Sequence, residues 1–385
     1  MNKLGDYIDI KTGKRDANEA CSNGCYPFFT CAKEPSRIDF WSFDCECVLV
    51  AGNCNPHVSY YNGKFNAYQR VYVIQSRDKK LLNIKYLYYF LKKYMTLVLD
   101  KQRGAIEKFF CLDDFTDIKI HLPDLPTQLR IAAILGSIDE KIELNRKKIA
   151  ELEALAKTIY DYWFVQFDFP DKNGKPYKSS GGKMTWNEQL KREIPDGWEI
   201  GNLYDIANFE NGLACQKFRP KDNEASLPVI KIREMHDGIN SDTERVSINI
   251  PEKHRITDGD LLFSWSASLE AMIWSGGVGG LNQHIFKVTP RGEYTVEYVY
   301  WQLKTYIVTF AKMAEARKTT MGHITADHIK QSRVILPISE ILSHFATIIR
   351  PIFGNRINLK KEIRMLVEQR DTLLPLLMNG QVEVK

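Results

Sequence analysis

The amino-acid sequence carries one pattern twice, and any fold must accommodate both copies. Leu4, Asp6 and Gly13 are echoed by Leu203, Asp205 and Gly212. Short apolar strands follow at 48–50 and 261–263, then a polar loop, then a further strand after Gln69-Arg70 or Gln283-His284. Beyond these, Tyr86, Tyr88, Leu91, Lys92 and Tyr94 match Tyr298, Tyr300, Leu303, Lys304 and Tyr306 at one constant offset. Neither stretch contains Gly or Pro and the apolar positions recur at helical spacing, so each is expected to be a core helix. Self-similarity of this kind marks repeated units, each with its own core.

The match tightens at Leu122-Pro123 and Leu336-Pro337, where LPDLPTQLRIAAIL and LPISEILSHFATII align without a gap, with Ala132 and Ile134 facing Ala346 and Ile348. Proline ahead of a periodic apolar run predicts a helix start. Ile138, Ile142, Asn145, Ile149, Leu152, Ala156, Ile159 and Trp163 then follow at alternating spacings of four and three. At an offset of 214 residues, Ile352, Arg356, Leu359, Ile363, Leu366, Arg370, Leu373 and Leu377 repeat that seam. A narrow stripe of period 3.5 needs another helix against it, and the partner can come from the same chain. Asn145, Arg356 and Arg370 are polar on the seam, either fixing its register or sitting where it splays open. Gly136 in the first copy, and Pro351 with Gly354 in the second, are expected to separate a short helix from the long one.

Between the halves, DKNGKPYKSSGGK from Asp171 has no apolar periodicity and reads as a linker, and IPDGWE from Ile194 reopens the folded chain with a turn. Residues 1–122 hold 18 basic against 14 acidic residues and 196–335 hold 16 against 18, so contact with nucleic acid in the second half needs a local basic patch. No stretch reaches the roughly 20 apolar residues of a membrane span, and residues 1–14 have no apolar signal core; the cytoplasm is the expected compartment. Six of the eight cysteines (Cys21, Cys25, Cys31, Cys45, Cys47, Cys54) share one short window without a paired C-x-x-C. Reduced thiols acting as small hydrophobes are expected, rather than a zinc site.

The motifs of nucleotide and cofactor chemistry are missing. No G-x-x-x-x-G-K-S/T occurs, and GGVGG at Gly276 is read as a turn. Asn55-Pro56-His57 lacks the second proline and the aromatic of an amino-methyltransferase motif. The histidines form no H-E-x-x-H and no His-Cys-Cys set. No catalytic residue and no metal ligand is assigned.

Two dissimilar α+β modules, each followed by Leu-Pro and a heptad helix, resemble the specificity subunit of type I restriction-modification enzymes over nearly the whole chain. The resemblance implies an α+β fold with two similar target-recognition domains separated by two long antiparallel helices that form a coiled-coil spacer. It places the recognition domains at 1–122 and 196–335, the spacer helix regions at 123–165 and 336–380, and a linker at 166–195. It also implies a chain without catalysis of its own, each domain reading one half of a split, asymmetric sequence in double-stranded DNA. Two methyltransferase subunits would dock on the helices and a restriction/translocase subunit would join them; S-adenosylmethionine, ATP and magnesium would belong to those partners. The other classes weighed are a coiled-coil scaffold or protein-interaction module with no DNA role, and a self-contained enzyme. Base edges are read by Arg, Asn, Gln and similar side chains on loops that vary without disturbing a core. The candidates are therefore Lys14, Arg15, Asn53, Asn55, Gln69, Arg70, Arg103 and Lys108, with Lys217, Arg219, Ser264, Ser266, Gln283, His284, Arg317, Lys318, Thr319 and His323 in the second half.

Overall fold

The computed structural model describes residues 2–52, 56–101, 111–266, 268–316 and 324–382. The chain divides into two compact units, Met1–Glu143 with Leu366–Lys385, and Leu144–Met365. Each contains one copy of the repeat and a stretch of each long helix. Among the described residues no helix is long and apolar enough to cross a membrane.

In the first unit six strands form one sheet: β1 (Ile8–Thr12), β2 (Tyr26–Phe29), β3 (Ser36–Ile38), β4 (Phe43–Ala51), β5 (Val58–Ala67) and β6 (Val71–Ser76), in the order β1-β6-β4-β5-β2-β3. Successive side chains of a strand face opposite ways, and β4 is apolar on both. Val48 and Val50 pack with Tyr86, Leu87 and Leu91 of α1 (Ile84–Lys101), while Cys47 and Leu49 pack with Phe65 and Val73 on the other side. Burial of the Cys45 and Cys47 thiols pushes both above the usual range, which keeps them in the neutral form. Asn83 caps α1, its side chain accepting from the Tyr86 amide at 2.9 Å.

A long helix, α2 (Leu125–Tyr160), follows, with Asp124 accepting from the Thr127 amide at its start. Gln128 is fully buried there: its amide donates to the carbonyls of Leu81 and Pro123, both at 2.9 Å, and its oxygen accepts from the Asn83 amide. One side chain thus ties the loop before α1 to the beginning of α2. Gln128→Leu removes the bonds to the part-buried Asn83 amide and to the Pro123 and Leu81 carbonyls, although Leu342 fills the matching position of the second copy. A loss of about 1–3 kcal/mol is expected in a urea titration, and a midpoint unchanged from the parent chain would refute the role.

The second unit repeats the plan with one break. β7 (Ala207–Asn211), β8 (Ser226–Ile230), β9 (Arg245–Ser247), β10 (Arg255–Ile256), β11 (Leu261–Ser264), β12 (Glu270–Ile273), β13 (Gly279–Leu281) and β14 (Ile285–Pro290) make two four-stranded sheets, β7-β14-β11-β12 and β9-β8-β13-β10. Where β5 runs unbroken through the six-stranded sheet of the first unit, its counterpart is divided into β12 and β13 by a break that contains Gly277, whose φ is 87°. The parallel pairing Phe28↔Asn66 is matched by Val229↔Gly280. α3 (Val296–Ala316) packs against the sheet, and the later part of α2 and the first part of α4 (Ser339–Met378) belong to the same unit.

At 36 and 40 residues, α2 and α4 each run unbroken, about 54 and 60 Å at 1.5 Å per residue. The expected breaks at Gly136, Pro351 and Gly354 do not occur. A glycine inside a helix costs only about 1 kcal/mol, less than is gained from its buried neighbours Leu135 and Ile138. Pro351 stands on the exposed face, so the Thr347 carbonyl it leaves unbonded opens to solvent while Ile349 and Phe353 stay buried.

The seam differs along its length. Ile138, Ile142, Asn145 and Leu359 are buried, whereas Ile149, Leu152, Ile159, Ile363, Leu366 and Leu373 are half-buried. Its two arginines are paired rather than splayed. In the first unit Arg370 donates to Asp139 Oδ1 at 2.9 Å, and the Tyr89 hydroxyl donates to Oδ2 at 2.8 Å. In the second, Arg356 pairs with Glu153 Oε2, and the Tyr300 hydroxyl donates to Oε1 at 2.7 Å. Each trio joins a module helix, α2 and α4, with the carboxylate always on α2 and the guanidinium always on α4. Asn145 is fully buried, and neither polar atom of its side chain has a partner among the described residues.

Residues 166–195, expected to be a linker, are folded. After a π turn at Asp161–Val165, Phe167 takes a left-handed φ of 66° and is wholly buried beside Trp198. Tyr177 stacks on Phe169 at 4.7 Å, Asp168 accepts from the amide and hydroxyl of Ser179, and Met184–Asn187 pairs with Arg192–Pro195 as a hairpin. Widely spaced aromatics pin this segment to the second unit, and no periodicity announces them.

Candidate nucleic-acid interface

In the first unit three segments meet at one end of the sheet. The Gly13 amide donates to Val71, the Gln69 amide to Arg15 and the Gly52 amide to Arg70, while Arg15 forms a parallel bridge with Tyr68. Gly13 makes the crossing possible: a Cβ there would lie 2.2 Å from the carbonyl oxygens of Ala67 and Tyr68, so no other residue fits without moving the backbone. The second unit makes the same crossing. Gly212 donates to Ile285, Leu213 bridges Asn282, and a Cβ on Gly212 would lie 2.1 Å from the Asn282 oxygen. The glycine pair of the sequence repeat is thus a pair of backbone crossings that gather polar loops.

These crossings bring several candidates together. Lys14, Gln69 and Arg70 are exposed at the first. Arg15 is half-buried, its guanidinium 4.6 Å from the Phe40 ring centre and 3.5 Å from Glu19. At the second, His284 is exposed and Gln283 half-buried, their side chains 3.4 Å apart. Lys217 and Arg219 are exposed around a short 3-10 turn, Cys215–Lys217. Ser264 and Ser266 differ from these, being buried; the Ser264 hydroxyl donates to the Ser268 carbonyl and accepts from the Glu270 amide at 3.1 Å. That hydroxyl is spent on the turn after β11. Asn53, Asn55, Arg103, Lys108, Arg317, Lys318, Thr319 and His323 lie outside the described residues.

Aromatic side chains that sequence reasoning assigned to no site also reach these surfaces. Phe40 and Trp41 are 39% and 43% exposed, and the Lys64 ammonium sits 4.9 Å from the Trp41 ring centre. In the second unit the Trp265 ring lies 5.6 Å from His284, and Phe218 is exposed beside Lys217 and Arg219. Exposed aromatics interleaved with Lys, Arg, Gln and His suit a polyanion with stacked bases. The only available signal in the sequence was their position among polar residues, as in the run DFWSF at Asp39.

A family model described as the type I restriction modification DNA specificity domain matches residues 1–154 and 195–369. The chain is 37% identical over 221 residues to the type I restriction enzyme EcoDI specificity subunit of Escherichia coli, a match covering 55% of this chain and about half, 49%, of that relative's length. With the MjaIX specificity subunit of Methanocaldococcus jannaschii it shares 25% identity over 317 residues, covering 78% and 69% of the two chains. The fold resembles that of the type I restriction-modification S subunit from M. genitalium, with a TM-score of 0.62 and 16% identity over 98% of this chain and 95% of that one. The family match covers both repeats and most of each long helix, so the chain belongs to the type I restriction-modification DNA specificity family.

Proposed function

We propose that this chain supplies the DNA sequence specificity of a type I restriction-modification complex. Each module reads one half of a bipartite, asymmetric target, and the chain performs no chemistry itself. The observation that supports this most is the duplicated backbone crossing at Gly13 and Gly212, which gathers basic, amide and aromatic side chains at corresponding places on two modules. Lys14, Arg70, Lys217 and Arg219 suit phosphates; Gln69, Gln283 and His284 have the donors and acceptors for base edges.

The helices act as an antiparallel spacer in this reading. Moving fourteen residues forward along α2, from Asp139 to Glu153, moves the partner fourteen back along α4, from Arg370 to Arg356. Two methyltransferase subunits would cover the half-buried seam and the exposed Leu144, Leu155 and Met365. A restriction/translocase subunit would join them, and S-adenosylmethionine, ATP and magnesium would be bound by those partners.

The test uses the assembled complex and a duplex carrying the bipartite motif methylated in its host. Lys14→Ala with Arg70→Ala is expected to reduce the slope of log affinity against log salt by roughly one to two. Gln69→Ala should relax discrimination at one half-sequence, by about 1–3 kcal/mol for a lost bidentate contact, and Gln283→Ala or His284→Ala at the other. Binding that is salt-independent, or a first-module variant that alters both half-sequences equally, would remove the two-reader assignment.

A further inference from the structure

The backbone crossing at Gly13 leads directly into Arg15 and holds it at both ends. Arg15 bridges Tyr68 in parallel, and its carbonyl accepts from the Gln69 amide at 3.0 Å. Its side chain is held as well. The Phe40 ring centre lies 4.6 Å from the guanidinium carbon, and Glu19 Oε2 stands 3.5 Å from Nη1. Glu19 is itself fixed, because its Oε1 accepts from the Asp16 amide at 2.9 Å while Asp16 caps the 3-10 turn Ala17–Glu19 through the Asn18 amide. Phe40 is anchored through its carbonyl, which accepts from the side chain of the fully buried Asn66.

This guanidinium differs from the other cations at the crossing. Lys14 and Arg70 are exposed, and among the described residues neither has a ring or a carboxylate against it. Arg15 Nε is buried without a partner among the described residues, yet 41% of the side chain is open to solvent. A ligand must therefore be met by the two terminal nitrogens. A phosphate asks only for positive charge, and a carboxylate beside the cation repels it. The fork of terminal nitrogens, by contrast, matches O6 and N7 of guanine in one orientation, so a ring and a carboxylate that fix that orientation favour a base edge. The second crossing has no such group: Leu213 makes the bridge to Asn282, and Ala214 follows it.

We propose that Arg15 reads a guanine in the major groove within the half-sequence of the first module, and that Phe40 and Glu19 are its positioning residues. This inference rests on the DNA-reading function proposed above and adds the base that the first module recognises. Because the second module carries Leu213 and Ala214 in that place, the contact belongs to one half-sequence only.

The test uses the assembled complex and duplexes carrying its methylated motif, each guanine being replaced in turn by 7-deazaguanine, which lacks the N7 acceptor. At one guanine the replacement should weaken binding by about fivefold to tenfold. Arg15→Ala should weaken binding to the unmodified motif by about tenfold or more and abolish the effect of the replacement at that guanine alone. Glu19→Gln should lower discrimination at the same guanine while raising affinity for random duplex DNA, since a negative charge is removed beside the phosphates. Phe40→Ala should also lower that discrimination, and Phe40→Tyr, which keeps the ring, should retain it. The proposal is overturned by a motif without a G·C pair in either half-sequence, or by an Arg15→Ala complex as sensitive to the replacement as its parent. Equal weakening of specific and random binding by Arg15→Ala would make Arg15 a phosphate contact and overturn it too. All three outcomes leave the two-reader function standing. A parent complex that binds its motif no more tightly than random duplex removes that function, and this inference with it.

Discussion

Glu153→Ala is expected to lower the stability of the second unit by about 2–3 kcal/mol, because it leaves the Arg356 guanidinium buried without its counter-charge. The loss falls below the roughly 3–5 kcal/mol of a fully buried pair because 37% of the Glu153 side chain is open to water and a solvent ion can partly replace it. Arg356 has little other relief. It is 6% exposed, its Nε already lacks a hydrogen-bond partner among the described residues, and the Phe353 and Tyr300 rings beside it, 4.9 and 6.0 Å from ring centre to guanidinium carbon, carry no counter-charge. The same substitution frees the Tyr300 hydroxyl that donates to Glu153, so α2, α3 and α4 all lose one attachment. Six of the seven tryptophans lie between 144 and 365, so the fluorescence midpoint in urea reports chiefly on this unit. Glu153→Gln, which keeps an acceptor for Tyr300, should lose less. Adding Arg356→Leu to Glu153→Ala should recover most of the loss, since an apolar side chain in that place needs no partner. A single variant as stable as the parent chain would show that the trio contributes no stability.

The order of elements was readable because both copies answer to the same physical demands. Gly13 and Gly212 stand at the same offset as Leu4 and Leu203 because in both units one strand crosses another backbone to backbone. The heptad positions kept their offset of 214 because each long helix buries the same stripe. Sequence period carries no information about helix continuity through Gly136 and Pro351, where a local cost is overcome by packing on either side. Nor could composition identify 167–198 as folded: its order comes from Phe167, Phe169, Tyr177 and Trp198 meeting across the fold, not from any periodic stripe. The candidate loops were found through their residue types, but Ser264 shows the limit of that approach. A serine in a polar loop can serve a base or a turn, and only its burial against Ser268 and Glu270 decides which. The partners of Arg356 and Arg370 were equally hidden, because each trio draws its carboxylate and tyrosine from elements far apart in sequence.

On the function proposed above, four residues inserted after Glu143 in α2, with four more after Met365 in α4, should move the complex to a longer target with the same two half-sequences. The two sites lie where the chain passes between its compact units, the first four residues after Asp139 and the second five before Arg370, the pair that joins α2 to α4 in the first unit. A matched four-residue insertion interrupts both heptads at one level, a stutter that locally unwinds a coiled coil without breaking it. An insertion in one helix alone would put every seam residue beyond it against the wrong partner, and that variant should lose activity. The matched pair lengthens the rods by about 6 Å and turns one end by about 40° relative to the other. Duplex DNA rises about 3.4 Å per base pair and turns roughly 35° per pair at about 10.5 pairs per turn. The rotation therefore favours a gap longer by one base pair, and the rise one longer by two. Sequencing of methylated sites in cells carrying the variant should show the original half-sequences separated by one of these gaps, with the original spacing lost. A double-insertion complex that still methylates only the original spacing would mean that the two helices do not measure the DNA.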